Sequence, residues 1–458
     1  MATSVGVLPG PRTPAPAVRR AWWRSGLEDS TTPARLRLLL AILIVLSLAW
    51  GVLAALTANQ HASAAADVVA VSEPLSLDAE QIYQSLSDAD AAAANAFLSG
   101  GLEPAATLQR YNADITQAAI RIEAASALVG ASAARTQLPG HLASQVALAG
   151  SAVGDDLATL SGQLPAYTDE VGTARADNRL GLPLGAAYLR EASALLRRTL
   201  LPAAGDIYSR ESALLTSASA QATGLPLMVV TVLVGLAIGY ILYRSSRWLA
   251  RHTHRVVNYG LLLAALAGLV SLAWLASAFF VGRADLLHAQ QQGSTPAQAY
   301  ARADVAALRA HTDESLTLID NSGDDAYQSD YVDQKNLLGP GGGTLLGAVQ
   351  ASSGSAGAAA GADAQAWFQA HAALRAKDNA GSHADAVASA QTGDAATKWT
   401  QFSRTLSDGI NRHQAVFASS ARGGRDAFTG LAIGMIVAAL LMVAGCAWGL
   451  SRRLAEYR

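Results

Sequence analysis

Four long apolar stretches stand out in the pattern of hydrophobic and polar positions. They cover residues 38–57, 225–243, 258–281 and 428–450. None has a charged residue near its centre, and each is long enough to cross about 30 Å of hydrocarbon as a helix. The long segments between them repeat apolar residues at helical spacing and carry few strand signals. We therefore predict an all-α integral membrane protein with four transmembrane helices.

The first long segment, residues 58–224, carries apolar residues three and four positions apart. Its clearest run is Val146, Ala149, Val153, Leu157, Leu160, Leu164, Tyr167 and Val171. This spacing indicates the buried face of a helix, and Pro165 inside the run should kink that helix without ending it. Glycines predict breaks at 100–101, between 130 and 140, and at 181–183. The segment is predicted to be an up-down-up-down four-helix bundle whose last helix continues into the second span.

The second long segment, residues 282–427, has the same spacing in a less regular form. Its first helix is predicted to leave the third span, and its fourth helix is predicted to run into the fourth span. Glycines and other small residues dominate 339–361, which predicts an irregular, flexible connection there. The prediction is a second four-helix bundle.

The order of span, long segment and span occurs twice, and short sequence matches accompany it. Ser-Leu-Ala-Trp at 47–50 recurs at 271–274, and Gly-Leu-Ala-Ile-Gly at 235–239 recurs at 430–434. The paired glycines suit close helix packing in a membrane. Because the matches occur in the same order, they predict an internal duplication with a pseudo-two-fold axis along the membrane normal.

The short and long segments outside the spans differ in charge. The short segments 1–37, 244–257 and 451–458 hold thirteen arginines and three acidic residues, whereas the long segments hold twenty basic and 32 acidic residues. The positive-inside rule then places both termini and the short loop in the cytoplasm and both bundles outside. The prediction is a multi-pass plasma-membrane protein. Ala62-Ser63-Ala64 resembles a signal-peptide cleavage site, but the long apolar run before it favours an uncleaved anchor.

The chain shows little sign of catalytic or metal chemistry. It contains no phosphate-binding loop, dinucleotide fingerprint, zinc-protease motif or nucleophile elbow, so we predict no enzymatic activity, no catalytic residues and no cofactor. His252 and His254 are too few for a metal site and fit an ordinary basic loop. A net charge of −2 argues against nucleic-acid binding, and the spans lack the ionisable residues that a carrier would use.

One polar stretch, residues 174–193, surrounds the predicted third turn of the first bundle, at its membrane-distal end. Its candidate partner-binding residues are Arg175, Asp177, Asn178, Arg179, Tyr188 and Arg190. Arginines offer forked donors to carboxylates, which favours a docking surface for an external partner. The alternative is a polar network that closes the end of the bundle. For a similar group at Arg309, His311, Asp313 and Glu314, the structural interpretation is favoured.

The four-span layout and the run from Arg175 to Ser193 resemble the GlnX-type actinobacterial membrane sensors. The layout is similar along the whole chain, whereas the distinctive sequence is confined to 174–193. The resemblance implies two partners: an extracellular solute-binding lipoprotein for acidic amino acids (GlnH) and a cytosolic Ser/Thr kinase (PknG). It assigns no ligand-contacting residue.

The function expected from these features is a non-enzymatic transmembrane sensor-relay. The predicted cytoplasmic segments are too short for a kinase, so the signal would leave through a separate protein. A small shift of helices through the second or fourth span would carry it. The alternatives are a chemoreceptor-like sensor that binds its ligand directly and a static scaffold in the envelope.

Overall fold

The computed structural model describes residues 32–67, 73–100, 103–135, 141–222, 224–253, 258–320 and 326–455. These residues form helices and contain no strand, which confirms the all-α prediction. The chain divides into two compact units. The spanning unit comprises the described parts of Met1–Leu56, Met228–Leu275 and Ala432–Arg458, and the bundle unit comprises those of Thr57–Leu227 and Ala276–Leu431.

The helices are numbered along the chain. They are α1 (Thr32–Asp67), α2 (Glu73–Phe97), α3 (Ala105–Arg135), α4 (His141–Arg179), α5 (Leu184–Leu195), α6 (Leu201–Ala222), α7 (Pro226–Thr253), α8 (Tyr259–His288), α9 (Thr295–Ile319), α10 (Ala326–Leu338), α11 (Leu345–Ser353), α12 (Ser355–Asn379), α13 (His383–Gln391), α14 (Asp394–Asp426) and α15 (Leu431–Ala455). Short π-helical segments, Leu196–Leu200 and Ala289–Ser294, join α5 to α6 and α8 to α9.

Four helices, α1, α7, α8 and α15, carry stretches long and apolar enough to cross a membrane, as the sequence predicts. Their surface is apolar: Val45, Leu269 and Ile433 are 64%, 65% and 70% exposed. Such side chains suit contact with lipid tails rather than water. These features indicate a membrane protein. Helix α7 continues to Thr253, so the predicted cytoplasmic segment 244–257 is helical as far as that residue, and 254–257 lie outside the described residues.

Glycines let α8 and α15 touch backbone to backbone within the spanning unit. A Cβ added to Gly260 would lie 2.4 Å from the Cα of Gly449, and one added to Gly445 would lie 2.7 Å from the carbonyl oxygen of Gly260. Asn258 Nδ2 also donates to the Gly449 carbonyl oxygen at 2.9 Å. Small residues and interhelical hydrogen bonds are the usual means of holding membrane helices together.

A tryptophan covers a glycine at two places in the spanning unit. Trp50 of α1 lies over Gly235 of α7, and Trp274 of α8 lies over Gly434 of α15, so that an added Cβ would clash at 2.7 Å and 2.3 Å. The sequence match aligned Gly235 with Gly430, whereas the packing makes Gly434 its counterpart. The repeated contact supports an internal duplication in a shifted register, and the duplication itself stays a prediction.

The first segment of the bundle unit follows the predicted helices closely. Gly100 and Gly181 adopt positive φ values of 62° and 69° at the predicted breaks, where a Cβ would be strained. Pro165 lies inside α4 and does not end it, as predicted. The predicted break between 130 and 140 falls largely on 136–140, which lie outside the described residues.

The second segment differs from the predicted four helices, because its described residues form six helices, α9 to α14. The connection predicted to be irregular at 339–361 is mostly helical, with α11 and the start of α12 inside it. Thr344 begins α11 by accepting a hydrogen bond from Gly347 N at 3.3 Å, and Gly354, with φ 58°, separates the two helices. A Cβ on Gly357 would lie 2.5 Å from the Gln350 Cα. The small residues therefore serve close helix packing rather than flexibility.

The two segments share a core instead of forming self-contained bundles. The cluster built mainly from α2 to α6 includes Leu316 of α9, and Val305 and Ile319 pack against it. Helix α9 is consequently covered on several sides, and every residue from Ala310 to Leu318 is buried.

The connections to the spans also differ from the prediction. One unbroken helix runs from Tyr259 to Ile319. In contrast, α6 ends at Ala222 before α7 begins at Pro226, and α14 ends at Asp426 before a turn in which Gly430 has φ 74°. The helices expected to run into the second and fourth spans are therefore interrupted, and the third span is the continuous one.

Candidate functional site

The turn between α4 and α5 is tightly closed. Leu182 N donates to the Asp177 carbonyl oxygen at 2.9 Å, the pattern of a helix end with a left-handed glycine. A Cβ added to Gly185 would lie 2.8 Å from the Ala174 carbonyl oxygen, so α5 packs directly on the end of α4. This turn sets the positions of the residues predicted to bind a partner.

Arg175 and Asn178 point into the protein. The Arg175 guanidinium forms an ion pair with Glu103 at 3.1 Å and stacks 3.9 Å from the centre of the Tyr111 ring. Asn178 Nδ2 donates to the Phe97 carbonyl oxygen at 3.0 Å. Both side chains thus tie the end of α4 to α2 and α3, which fits the alternative of a network that closes the bundle.

The remaining candidates separate into inward and outward groups. Arg190 pairs with Asp320 at the end of α9, at 3.1 Å, and so connects the two segments. Arg179 lies 3.9 Å from Glu103 with its side chain 58% exposed, and Tyr188 is exposed as well. The structure thus brings Arg175 and Arg179 together at Glu103 and places Arg190 on a different partner. Asp177 is half-buried at the same turn.

The polar residues of α9 form a larger network than the sequence suggested. Arg309 donates to the Tyr83 hydroxyl of α2. The Glu314 carboxylate lies between two histidines, 2.7 Å from His371 Nδ1 and 3.3 Å from His311 Nδ1. His371 stacks on Tyr331, with 3.6 Å between ring centres. These groups hold α9 to α2, α10 and α12 at once.

Arg197 is a residue that the sequence did not single out. It lies in the π-helical segment after α5 and forms an ion pair with the buried Asp313 of α9 at 2.5 Å. Burial raises the pKa of the nearby Asp90 carboxyl, while Arg197, Ser193 and Tyr167 act in the opposite direction. Its one sequence signal was the Arg197-Arg198 pair in an otherwise apolar stretch. That pair did not reveal that the first arginine is half-buried and the second exposed.

A cavity of about 450 Å³ lies between α2, α6, α9, α10 and α11. This volume is within the usual range for small-molecule sites, roughly 300–1,000 Å³. Its polar lining includes Glu80, Tyr83, Tyr208, Arg302 and Arg309. The sequence did not predict it, because its walls come from both long segments.

Several polar atoms around this cavity lack a hydrogen-bond partner among the described residues. They are Glu80 Oε1, Tyr208 Oη and Arg309 Nε. Glu80 is only 8% exposed, and burial raises the pKa of its carboxyl to about 7, although Gln414 donates to its other oxygen at 3.2 Å. Burial and the neighbouring Glu80 also raise the pKa of Tyr208. Buried polar atoms are normally satisfied by hydrogen bonds, so Glu80, Tyr208 and Arg309 are candidates for contact with a bound molecule.

Within the described part of the chain, no group of His, Cys, Asp and Glu side chains is arranged to hold a metal ion. Of the two histidines considered from the sequence, His254 lies outside the described residues, and the side chain of His252 is not described.

Comparison with known proteins gives one match. Residues 64–220 match the family model described as the Actinobacterial sensor domain. No curated protein and no solved structure matches the chain. The matched region covers the first segment of the bundle unit, including the turn at 174–193 and Arg197. The match indicates a sensing role, and it supports an actinobacterial sensor protein.

Proposed function

We propose that this protein is a non-enzymatic transmembrane sensor-relay in the plasma membrane. It passes the state of an extracellular solute-binding lipoprotein, specific for acidic amino acids, to a cytosolic Ser/Thr kinase. The observation that carries the proposal is the unbroken helix from Tyr259 to Ile319. This one helix contains a membrane span and, near its other end, the buried residues that hold both long segments together.

The relay needs two arrangements of that helix. A partner that binds one arrangement more tightly shifts the population towards it, and small translations of helices are a common means of passing such a change. Arg309, Asp313 and Glu314 fix α9 to its neighbours, so a change in their packing would move the helix. The two π-helical segments support this, because such segments often occur at functional sites.

The proposed docking surface for the lipoprotein is the exposed part of the turn at 174–193. Leu180, Leu182 and Leu184 are 73%, 46% and 56% exposed beside Arg179 and Tyr188. A contiguous apolar patch with an arginine and a tyrosine has the composition of a protein interface. Direct ligand binding, the chemoreceptor-like alternative, is favoured by a different observation, the cavity between the segments.

Changing this surface should weaken partner capture without unfolding the protein. We expect Arg179→Ala with Leu180→Ser to reduce recovery of the lipoprotein from native membranes by about tenfold or more, since central interface residues each contribute about 1–2 kcal/mol. The control is Arg412→Ala with Val332→Ser, two exposed residues of the second segment. Pull-down with mass spectrometry and melting temperature are the measurements. Unchanged recovery would place the interface elsewhere, and a wild-type pull-down without a kinase would favour a static scaffold.

The proposed topology is tested by cysteine labelling. Cys446, the single cysteine, is buried, so background labelling should be low. We expect an impermeant thiol reagent to label Ser161→Cys and Ser382→Cys in intact cells, because both positions are exposed in segments predicted to be extracellular. Ser451→Cys should react only after the membrane is opened. Protection of either outer position in intact cells would contradict the topology.

A further inference from the structure

The cavity of about 450 Å³ has a strongly uneven lining. One wall is apolar and comes from Ala301, Val305 and Ala306 of α9 together with Leu337 and Leu345. The polar groups lie on α2, α6 and the charged positions of α9. A cavity with a mainly apolar lining and a few converging polar groups is the usual form of a small-molecule site.

The charged side chains that line the cavity are predominantly positive. Arg302 is exposed and forms no hydrogen bond or ion pair with the described side chains, and Arg309 keeps its Nε unpartnered although its Nη2 donates to Tyr83. Glu80 is the acidic residue of the lining, and its burial favours the neutral carboxyl. An anion would therefore gain from this site, and the apolar wall opposite the arginines favours a carboxylate with an apolar body over a wholly polar phosphate.

The unpartnered atoms supply the second, independent observation. Glu80 lines the cavity and is more than nine-tenths buried, and its Oε1 has no hydrogen-bond partner among the described residues. The hydroxyl of Tyr208, a lining residue of α6, also has no hydrogen-bond partner among the described residues. Leaving such atoms unsatisfied is costly, which favours an occupant that brings polar atoms to this end of the cavity.

We propose that this cavity binds a small organic carboxylate with an apolar body. Its carboxylate faces Arg302 and Arg309, which suit carboxylate oxygens because guanidinium donors match their geometry. Its apolar body lies against Val305, Leu337 and Leu345. Because the walls belong to both long segments, bound ligand favours the arrangement in which α6, α9 and α11 are closed around it. The inference deepens the sensing role by giving the protein a ligand of its own.

Gly205 on α6 allows the site to be filled without disturbing the fold. A Cβ at this position would meet only Tyr83 Cε2, at an ordinary 3.8 Å, and a longer side chain would extend into the cavity. The matched control is Gly162 on α4, where an added Cβ meets nothing within 4 Å. Gly205→Leu and Gly162→Leu therefore make the same chemical change inside and away from the site.

The test uses the purified full-length chain in detergent and isothermal titration with phenylacetate, phenylacetamide and phenethylamine. We expect saturable binding of phenylacetate, at least about tenfold weaker binding of the neutral amide, and none of the cation, since a charged hydrogen bond contributes about that factor. Gly205→Leu should weaken phenylacetate binding about tenfold or more, and Gly162→Leu should leave it unchanged. Arg302→Ala should also weaken phenylacetate binding, and Arg302→Lys should restore part of it. These two variants test the proposal even if Gly205→Leu fails to fold.

The opposite results would overturn the proposal. Absence of saturable phenylacetate binding, equal binding of the amide, or wild-type affinity in folded Gly205→Leu or Arg302→Ala would each exclude a carboxylate site here. The result for ligand binding does not depend on whether the proposed relay exists. Phenylacetate binding with failed partner capture would leave this site standing without the relay, and the reverse would leave the relay without this site.

Discussion

Replacing Glu314 by alanine is expected to lower the free energy of unfolding by about 3–5 kcal/mol, because it removes the buried partner of two histidines. The Glu314 side chain is 1% exposed, and His371 and His311 are 4% and 7% exposed. Without the carboxylate, His371 Nδ1 loses its 2.7 Å contact inside the core. Denaturation in detergent, followed by the fluorescence of Trp367 and Trp399 beside His311, provides the measurement.

Two further variants show whether the loss of stability comes from removing the buried Glu314 carboxylate or from replacing any glutamate by alanine. Glu314→Gln keeps an oxygen that accepts a hydrogen bond and should therefore lose less stability than Glu314→Ala. Glu123→Ala makes the same substitution as the alanine variant at an exposed helical glutamate, where a change within about 0.5 kcal/mol is expected. A loss below about 1 kcal/mol for Glu314→Ala would show that the histidines find other partners.

Arg197→Ala should lower the free energy of unfolding by a similar amount, about 3–5 kcal/mol, because it leaves the buried Asp313 without its ion-pair partner and removes a positive charge that favours the ionised form of Asp90. Asp313 and Asp90 are 1% and 2% exposed, and Arg197 lies between the elements that carry them. Arg198→Ala is the matched control, since it removes the adjacent arginine, whose side chain is exposed. Thermal unfolding of the purified chain measures both.

A double substitution tests whether the cost comes from the unpaired acid. Arg197→Ala with Asp313→Asn should recover part of the stability lost in Arg197→Ala, because the buried charge is gone together with its partner. Strictly additive losses would contradict a direct coupling between Arg197 and Asp313. Since Arg197 joins the first segment to α9, partner capture by folded Arg197→Lys would also report whether this link takes part in the relay.

The regular features of the chain follow from local sequence. Length and hydropathy alone determine the four apolar helices, because a membrane span must be long, apolar and hydrogen-bonded within itself. The three- and four-residue spacing in 146–171 determines α4, including its passage through Pro165. Glycines with positive φ end helices at Gly100 and Gly181, since other residues are strained there.

The second segment was less predictable because its glycines and alanines have two possible roles. The same small residues suit a flexible loop or a close helix contact, and only neighbouring backbone decides between them. Gly357 against Gln350 shows the second outcome, which makes most of 339–361 helical. Spacing patterns likewise do not reveal the breaks before the second and fourth spans, which lie between Ala222 and Pro226 and at 427–430.

The sequence by itself determined that this protein is helical, has four apolar helices and carries a polar turn at 174–193. The tertiary structure decided which polar residues matter. Arg190 meets Asp320, Arg197 meets Asp313, and Arg309 meets Tyr83, each across more than a hundred residues of sequence. A polar helix such as α9 is expected to face water, yet Ala310 to Leu318 are all buried because both segments cover it. Burial from several sides is a property of the assembled core, and no periodicity within one helix encodes it.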